Sequence, residues 1–358
     1  MPKVGLTEFL NLTRVLASGC LMQRAGDKSS FTARFQASLA SKIGVEHALA
    51  LNSGTSGLIT ALTVAGIGPG DEVLIPAYTW VSTAIAPLAV GADPILVDID
   101  ETLTIDVDDL ERKIGPRTKA IIPVHMVNHV CDMDKIMKIA RQHKLYVIED
   151  ACQAVGVIYK GRRVGSIGDM GVFSFNHYKN ISSGEGGAFL TNNATFHKRA
   201  KVYHDVGSYF REYEKNHFDF FGCNLRISEL TGAVLHAQLG KLDEHLAHLK
   251  RVRAKKLRSK AFSGVEPSPH HDIDNAVGLT LLFGSADEAT RFAQRNRGVE
   301  VIADLKKYDF LSWLPVLCSG RGDLPKDADR VARRDIDYSP DICSKTIDLL
   351  SRSCVVTS

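Results

Sequence analysis

The stretch VIEDACQAVGVIYKGRRVGSIGDMGVFSFNHYKNISSGEGGAFLTNN, residues 147–193, decides the fold. It opens with an apolar strand that ends at Glu149 and Asp150, and two further strand candidates, GDMGVFSF and GGAFLTNN, follow. The loop between those two strands carries Lys179. A strand end with two carboxylates, a lysine and a glycine cluster thus fall within one stretch, which makes it the first candidate for a site.

Upstream of this stretch, short apolar runs alternate with segments of helical spacing such as SGLITALTVAG and DMDKIMKIARQHK. The predicted strands are VEHALALN, EVLIPA, ADPILVDID, KAIIPVH and KLYVIED. Apolar strands separated by helices are typical of a parallel sheet covered on both faces. The sequence therefore predicts one α/β unit up to about residue 195.

Downstream, leucines recur every three or four positions and predict one long helix from Ile227 to Lys260. The segments GLTLLFGS and DEATRFAQRNRG then predict a strand and a helix of a smaller second domain. The charged segment at 321–335 predicts a mobile loop. The chain stops at Ser358, earlier than we expect of a complete small domain.

Composition restricts the class of protein. The length of 358 residues favours two domains, and 44% hydrophobic with 24% charged residues excludes collagen-like, coiled-coil and disordered chains. The net charge is only +3, and basic residues are interspersed with acidic ones. Nucleic-acid binding and membrane binding therefore gain no support from charge.

The cysteines indicate a reducing compartment. There are seven, an odd number, with no CxxC pair among them, so a disulfide framework or a zinc ribbon is not expected. The first residues, interrupted by Lys3, Glu8 and Arg14, lack the apolar core of a signal peptide, and no apolar run reaches membrane-spanning length. We therefore expect a cytoplasmic protein.

Two adjacent histidines, His270 and His271, lie next to Asp272 and Asp274 and raise the possibility of a metal site. Neighbouring loop residues rarely supply one face of a coordination sphere, and the chain offers no second cluster. We therefore expect these histidines at the solvated surface and no bound metal.

The turn Asn52-Ser53-Gly54-Thr55-Ser56-Gly57 follows a strand and opens a helix. Backbone N–H groups and hydroxyls at a helix N-terminus form an anion site suited to a phosphate. The turn lacks the lysine of a Walker loop and the spacing of a dinucleotide fingerprint. The alternative is a capped turn without a ligand.

Three features together favour pyridoxal phosphate: this phosphate cradle, a carboxylate for the pyridine nitrogen at Asp150, and an amine for a Schiff base at Lys179. Each has an ordinary alternative. Asp150 could anchor a loop, Lys179 could be a solvated surface charge, and the glycine cluster after it is a weak signal alone.

Four motifs carry a family resemblance: SGTSGL at 53–58, IPAYTWVSTA at 75–84, the stretch at 147–193, and GCNLRISELTGAVLHAQL at 222–239. Together, over roughly residues 7–250, they resemble the DegT/DnrJ/EryC1/StrS family of sugar aminotransferases. The resemblance implies the aspartate-aminotransferase fold (fold type I), an α/β architecture. A large domain at 1–250 would hold a mostly parallel seven-stranded sheet covered by helices, and a smaller C-terminal α/β domain would follow at 251–358. The first residues would pack on the small domain.

The resemblance also implies the roles of site residues. Lys179 would hold the internal aldimine, Asp150 would bind the pyridine nitrogen, and these two would be catalytic. Gln153 would lie near the ring hydroxyl, and Trp80 would stack on the ring, although a core position is the alternative for this Trp. The phosphate would be bound by Thr55, Ser56 and Ser174, and by Asn224 from the neighbouring subunit of a homodimer with shared sites.

The sequence departs from the family pattern in two loops. His125-Met126-Val127-Asn128-His129 replaces a segment that often carries a glycine, in the pattern HMxG, and Asn176-His177-Tyr178 replaces a commoner His-Pro pattern. We therefore assign the substrate site to Asn128, His129, His177 and Tyr178.

The expected activity is a pyridoxal-phosphate aminotransferase that moves an amino group from glutamate or glutamine to a keto sugar or a sugar-like ketone. One alternative is a sugar dehydratase that uses pyridoxamine phosphate and carries His at the lysine position, which Lys179 opposes. Another is a non-catalytic relative that acts as a sensor or partner subunit, which the divergent C-terminal part leaves open.

Overall fold

A computed structural model of the protein describes residues 4–23, 27–207, 221–318, 336 and 338–357. The predicted loop at 321–335 lies outside these residues. The chain divides into two compact units. Unit 1 comprises residues 1–66 and 146–250, and unit 2 comprises residues 67–145 and 251–358. The predicted domains, 1–250 and 251–358, stay a prediction.

The described helices are α1 (Leu6–Ser18), α2 (Phe31–Ile43), α3 (Gly54–Val64), α4 (Ser82–Val90), α5 (Val107–Arg112), α6 (Met133–His143), α7 (Ala194–His204), α8 (Glu229–Gly240), α9 (Leu242–Leu257), α10 (Ala286–Arg295), α11 (Phe310–Cys318) and α12 (Ser344–Ser351). Short 3-10 helices lie at Met126–Asn128, Lys260–Phe262, Ile273–Asn275 and Ala303–Leu305. In the described residues, no helix is both long enough and apolar enough to cross a membrane.

The described strands are β1 (His47–Leu51), β2 (Glu72–Pro76), β3 (Asp93–Val97), β4 (Thr118–Ile121), β5 (Tyr146–Asp150), β6 (Ile158–Tyr159), β7 (Arg162–Arg163), β8 (Met170–Ser174), β9 (Gly187–Thr191), β10 (Thr280–Leu282), β11 (Val299–Val301) and β12 (Ser353–Val356). A seven-stranded sheet has the order β1-β9-β8-β5-β4-β2-β3, and only the pairs that involve β9 are antiparallel among those with a described register. The predicted α/β fold with a mostly parallel seven-stranded sheet is confirmed.

In unit 1 the strands β1, β9, β8 and β5 carry almost wholly buried apolar side chains. Ser174, the last residue of β8, pairs with Gly187, the first residue of β9, and Leu51 at the end of β1 pairs with the same glycine. Asp150 at the end of β5 pairs with Val172 of β8. The ends of β1, β5 and β8 therefore lie at one edge of the sheet, the edge where open α/β sheets bind ligands.

The predicted long helix is two helices, α8 and α9, which meet at Lys241. Leu242, fully buried, packs on Gly156, where an added Cβ would lie 2.6 Å from the leucine Cδ2. Asp243 forms ion pairs of 2.7 Å with both Lys42 and Arg163. Tertiary contacts thus fix the direction of α9, and helical periodicity alone could not show the break.

Helix α1 lies against α8 through an unusual polar contact. The fully buried carboxylate of Glu8 accepts hydrogen bonds from Gln238 (2.7 Å) and Lys241 (2.6 Å). Asn11 donates to the Ala233 carbonyl oxygen at 3.2 Å. These contacts join α1 to α8 and to Lys241, and packing of the first residues on the small domain stays a prediction.

In unit 2, β2 pairs in parallel with β3 and β4. The C-terminal part of this unit forms a second, three-stranded antiparallel sheet in the order β10-β12-β11. Its apolar core contains Phe262, Leu279, Leu281, Ala289, Val299, Val301 and Cys354. The strand predicted in GLTLLFGS and the helix predicted in DEATRFAQRNRG correspond to β10 and α10.

Candidate active site

The N-terminus of α3 is a tightly held turn in unit 1. Ser53 caps the helix, and its Oγ accepts the N–H of Ser56 at 3.1 Å. The Ser56 hydroxyl donates to Asn52 Oδ1 at 2.6 Å, so the hydroxyls at this turn are ordered. Thr55 is partly buried beside them. The turn presents N–H groups and hydroxyls at a positive helix end, as a phosphate site requires.

Two glycines allow the turn to approach the sheet edge closely. A Cβ on Gly187 would lie 2.3 Å from the Ser53 carbonyl carbon. A Cβ on Gly54 would lie 2.7 Å from Cys152 Sγ and 3.0 Å from Ser174 Cβ. Sequence reasoning missed these contacts, because they join segments about a hundred or more residues apart.

The two carboxylates at the end of β5 have different environments, since successive side chains of a strand point to opposite faces. Glu149 is fully buried and accepts the N–H groups of Gly165 (2.8 Å), Ile167 (2.6 Å) and Gly168 (2.7 Å). It therefore anchors the loop before β8. Asp150 is 5% exposed, and its Oδ1 accepts the N–H of Cys152 at 3.2 Å.

Cys152 links Asp150 to the α3 turn. Its thiol lies 3.8 Å from the Val172 carbonyl oxygen. Burial, followed by the negative charge of Asp150, raises the pKa of the Cys152 thiol well above its ordinary value, while the charge of Lys179 lowers it. The thiol is therefore neutral, and both Asp150 and Lys179 are close enough to act on it electrostatically.

The loop before Lys179 is fixed by one residue, Asn176, through both its backbone and its side chain. The Asn176 carbonyl oxygen accepts the Lys179 N–H at 3.0 Å, and its Oδ1 accepts the Tyr178 N–H at 3.3 Å. Its Nδ2 donates to Glu185 at 2.9 Å, and its N–H donates to Ser174 Oγ at 3.4 Å. The partly buried Lys179 thus leaves a loop of defined conformation at the end of β8.

Within unit 1 the structure brings together Asn52–Ser56, Asp150, Cys152, Ser174 and Lys179. Gln153 follows Cys152 and is partly buried. His177 and Tyr178 are exposed, Tyr178 to 84%, and their rings meet edge to face at 5.3 Å. The roles of these residues toward cofactor and substrate stay predictions.

Asn224 is exposed on a segment that pairs with Asp205. The buried Asp205 forms an ion pair with Arg226, which fixes this segment next to α7. The backbone N–H of Asn52, beside the α3 turn, donates to the Leu225 carbonyl oxygen at 2.9 Å. The backbone of the segment that carries Asn224 is therefore hydrogen-bonded next to the α3 turn.

Trp80 belongs to unit 2 and is 47% exposed, so the alternative of a core position for this side chain is wrong. Its ring meets Tyr308 edge to face at 6.0 Å. The preceding residue, Thr79, donates its N–H to the Tyr308 carbonyl oxygen at 2.7 Å. Trp80 is thus a half-exposed aromatic side chain that is supported by Tyr308.

In unit 2, the segment 125–131 gives different environments to His129 and Asn128, for which the sequence predicted the same role in substrate binding. His129 is 2% exposed, and its Nε2 lies 3.0 Å from Thr280 Oγ1. Its ring stacks on His270 at 3.9 Å between centroids. Asn128 is partly exposed. The expectation that His270 and His271 are solvated is wrong, since both are partly buried in this packing.

The pKa values of the stacked histidines are lowered. Burial, then the charges of neighbouring groups, holds the pKa of His129 well below its ordinary value. Burial and the positive charge of Arg253 lower the pKa of His270 to about 4. Both rings are therefore neutral near pH 7. No group of three or more potential metal ligands occurs in the described part of the chain.

Known proteins resemble this chain in sequence and in fold. A sequence model described as the DegT/DnrJ/EryC1/StrS aminotransferase family matches residues 3–347. GDP-perosamine synthase of Caulobacter vibrioides is 43% identical over 223 residues, which cover 62% of this chain and 60% of that protein, less than two thirds of its length. UDP-N-acetyl-3-dehydro-alpha-D-glucosamine 3-aminotransferase of Acidithiobacillus ferrooxidans is 41% identical over 274 residues, 74% of this chain and 71% of that protein.

Among solved structures, 3-amino-5-hydroxybenzoic acid synthase matches with a TM-score of 0.81 and 26% identity, and the match covers 99% of this chain and 91% of that one. The predicted fold, that of the fold type I aminotransferases, is therefore confirmed.

Proposed function

The chain belongs to the DegT/DnrJ/EryC1/StrS aminotransferase family, and from that premise we propose that it is a pyridoxal-phosphate-dependent enzyme that transfers an amino group to a keto sugar. The observation that carries the proposal is the convergence in unit 1 of the α3 turn, Asp150 and Lys179 around Cys152.

The residues present fit this cofactor. The α3 turn offers N–H groups and the hydroxyls of Thr55 and Ser56 to a phosphate, and Ser174 lies against Gly54 of the same turn. Asp150 offers a buried carboxylate to the protonated ring nitrogen. Lys179 offers the amine, and for Trp80, which is 47% exposed, we propose stacking on the cofactor ring.

Bound pyridoxal phosphate supplies an electron sink for the carbon that carries the amino group. Asp150 keeps the ring nitrogen protonated, because a negative charge next to it favours the charged form. Lys179 would hold the cofactor through its amine, and as a free amine it would hold and move the proton at the substrate carbon. The neutral Cys152 thiol adds no second negative charge beside Asp150.

For the amino acceptor we propose a keto sugar or sugar-like ketone, joined to a nucleotide. The support is that the names of two relatives specify a GDP-linked and a UDP-linked sugar. For the donor we propose glutamate or glutamine. Asn128, His177 and Tyr178, which are all at least partly exposed, are the side chains we assign to acceptor binding.

We also propose a homodimer in the cytoplasm, with no nucleic-acid or membrane partner. Asn224 is exposed, and its segment is hydrogen-bonded next to the α3 turn. Both observations support the proposal that its side chain reaches the phosphate site of a partner subunit. All seven cysteines lie in described residues as free thiols, which supports a reducing compartment.

The test is a half-reaction that needs only the donor. The purified protein, loaded with pyridoxal phosphate, should convert it to pyridoxamine phosphate when glutamate or glutamine is added, as followed by visible absorbance and mass spectrometry. Lys179→Ala should bind the cofactor through the α3 turn but lose the half-reaction by about three orders of magnitude or more.

The matched control is Lys160→Ala, which removes an exposed lysine from another loop of unit 1 and should react like the wild type. A Lys179→Ala variant with a near-normal rate would refute the assignment of the amine. A wild-type protein that does not react with either donor would count against the aminotransferase itself.

A further inference from the structure

Helix α1 buries its polar side and exposes its apolar side. Glu8 and Asn11 are buried and hydrogen-bonded to α8 and to the residue that follows it. On the opposite side of the helix, Leu6 is 72% exposed, Phe9 64% and Leu16 63%. An amphipathic helix at the surface of a globular protein normally turns its apolar side toward the core. The exposed side of α1 therefore indicates a binding surface.

The exposed apolar residues of α1 form one continuous stripe. At 3.6 residues per turn, one face of about a third of the helix circumference contains Leu6, Phe9, Leu10, Thr13, Leu16 and Ala17, which we call the α1 stripe. The stripe contains no charged residue. Its one hydroxyl, on Thr13, donates to the Phe9 carbonyl oxygen at 2.9 Å and is thereby satisfied within the helix. The whole stripe can thus be buried without leaving a polar group unpaired.

The exposed area at α1 matches what one subunit contributes to a stable dimer. The large apolar residues on and next to the helix are 45–73% exposed, and they are Val4, Leu6, Phe9, Leu10, Leu16, Leu21 and Met22. With about 200 Å² for a large apolar residue that is fully exposed, they present roughly 700–800 Å². The largest apolar patch of a monomer is about 300–600 Å², whereas each partner in a standard protein–protein interface buries about 800 Å².

The segment next to the stripe favours a second copy of this chain as the partner. The Leu21 carbonyl oxygen accepts the N–H of Glu229, the first residue of α8, at 2.9 Å. Asn224, which we propose to enter the partner's phosphate site, lies a few residues before Glu229 and is exposed. A partner that Asn224 reaches therefore lies close to the end of α1.

A membrane surface fits α1 less well than a protein does. Helices that lie in a membrane interface typically carry Lys and Arg along their polar face. The polar face of α1 instead carries Glu8 and Asn11, and both are occupied by contacts with α8. The basic groups needed to attract anionic lipid are therefore not aligned on this helix.

We propose that the α1 stripe is covered by a second copy of this chain at the two-fold interface of the homodimer. The inference rests on the homodimer proposed above and adds the surface that joins the two copies. A two-fold interface uses the same surface of both subunits, so each dimer buries two stripes, and removal of this apolar area from water stabilises the association.

Phe9→Glu combined with Leu16→Glu tests the inference, because it places two carboxylates on the stripe of each subunit. Sedimentation over a dilution series should show the Kd of the dimer raised at least about a hundredfold, since buried unpaired carboxylates are costly and occur in both copies. Both side chains are exposed within the chain, so the variant should still unfold cooperatively on heating. In the wild type, the amide hydrogens of α1 should exchange more slowly as the protein concentration rises and dimers form.

Ile273→Glu is the matched control, because it places a carboxylate on an apolar residue of unit 2 that is 58% exposed. It should leave the Kd of the dimer unchanged. A wild-type dimer whose Kd is unchanged in the double variant would overturn this inference and leave the homodimer standing. A wild type that sediments as a monomer, with or without binding to phosphatidylglycerol vesicles, would overturn both. The donor half-reaction tests the aminotransferase separately from these outcomes.

Discussion

At the scale of single residues, Glu149 and Asp150 show how neighbouring carboxylates acquire different tasks. Three N–H groups at 2.6–2.8 Å surround Glu149, and its carboxylate thereby holds the loop before β8. Asp150 accepts the N–H of Cys152 at 3.2 Å and stands at the edge of the sheet where open α/β sheets bind ligands.

Asp150→Asn should therefore impair the reaction, whereas Glu149→Gln should impair the stability of the fold. Asp150→Asn should fold and bind the cofactor but slow the donor half-reaction by at least about a hundredfold, because the ring nitrogen loses its anionic partner. Glu149→Gln should lower the free energy of unfolding by about 3 kcal/mol, since an amide NH₂ would face an N–H group. Stopped-flow absorbance and urea unfolding measure the two effects. Equal behaviour of the variants in both assays would contradict this division.

The sequence was sufficient to place Glu149, Asp150 and Lys179 in one candidate site, because strand ends and glycine-flanked loops are local patterns. It could not separate Glu149 from Asp150 in the same way. The backbone N–H groups that bind the Glu149 carboxylate belong to residues 16 to 19 positions further along the chain, and their convergence depends on the fold of the intervening loop.

At the scale of elements, the α3 N-terminus depends on Gly54. Gly54→Ala would place a Cβ 2.7 Å from Cys152 Sγ and 3.0 Å from Ser174 Cβ, so the turn must shift from the sheet edge. We expect cofactor affinity to fall about tenfold or more, by fluorescence titration, because the phosphate donors move. Adding Cys152→Ala should restore part of the affinity by removing the closer contact.

Gly240→Ala is the control for this prediction, because nothing lies within 4 Å of its added Cβ and the helical position favours alanine. It should leave cofactor affinity unchanged. Two outcomes would contradict this prediction: Gly54→Ala binds the cofactor like the wild type, or adding Cys152→Ala restores none of the lost affinity. Either result would show that the contact between Gly54 and Cys152 does not determine the geometry of the phosphate site.

The stack of His129 on His270 should make unit 2 sensitive to acid. Burial lowers the pKa of both histidines, that of His270 to about 4, and the nearby charges are Arg253, His271 and Asp272. The unfolded chain takes up these protons near pH 6.5, so the stabilisation is complete above that pH and is lost as the pH falls toward 4.

His270→Phe keeps an aromatic ring in the stack and removes one titrating group. Between pH 6.5 and 4, the slope of unfolding free energy against pH should decrease by up to about 1.4 kcal/mol per pH unit. Urea unfolding at a series of pH values measures it, with His143→Phe, an exposed histidine at the end of α6 in the same unit, as the comparison for a histidine outside the stack. An unchanged slope in His270→Phe would contradict the assignment.

Elements were predictable where their signal is local. The alternation of apolar strands and helices predicted β1 to β5, β8 and β9 before any contact was known. The break between α8 and α9 was not predictable, because it follows from Leu242 packing on Gly156 and from the ion pairs of Asp243. The expectation that His270 is solvated was wrong for the same reason, since His270 meets His129 from 141 residues away.

At the scale of the whole molecule, the homodimer with shared active sites that we propose predicts complementation between defective subunits. Lys179→Ala and Asn224→Ala should each be poorly active alone, because one lacks the amine and the other weakens phosphate binding in the partner's site. A mixed dimer contains one site with neither lesion, so an exchanged equal mixture should recover about a quarter of the wild-type rate. A mixture whose rate is only the mean of the two variants would contradict shared sites.

The contact between α1 and α8 affects how the chain folds during its synthesis on the ribosome. Glu8 and its partners Gln238 and Lys241 are separated by 230 and 233 residues. At rates of synthesis of about 5–20 residues per second, the N-terminal helix waits roughly ten seconds or more for the segment that carries the partners of its carboxylate. His47 at the start of β1 likewise awaits Thr191 of β9. The first elements of unit 1 to be made thus gain their packing partners late in synthesis. We therefore expect chaperones to retain nascent chains that are halted before α8 is made.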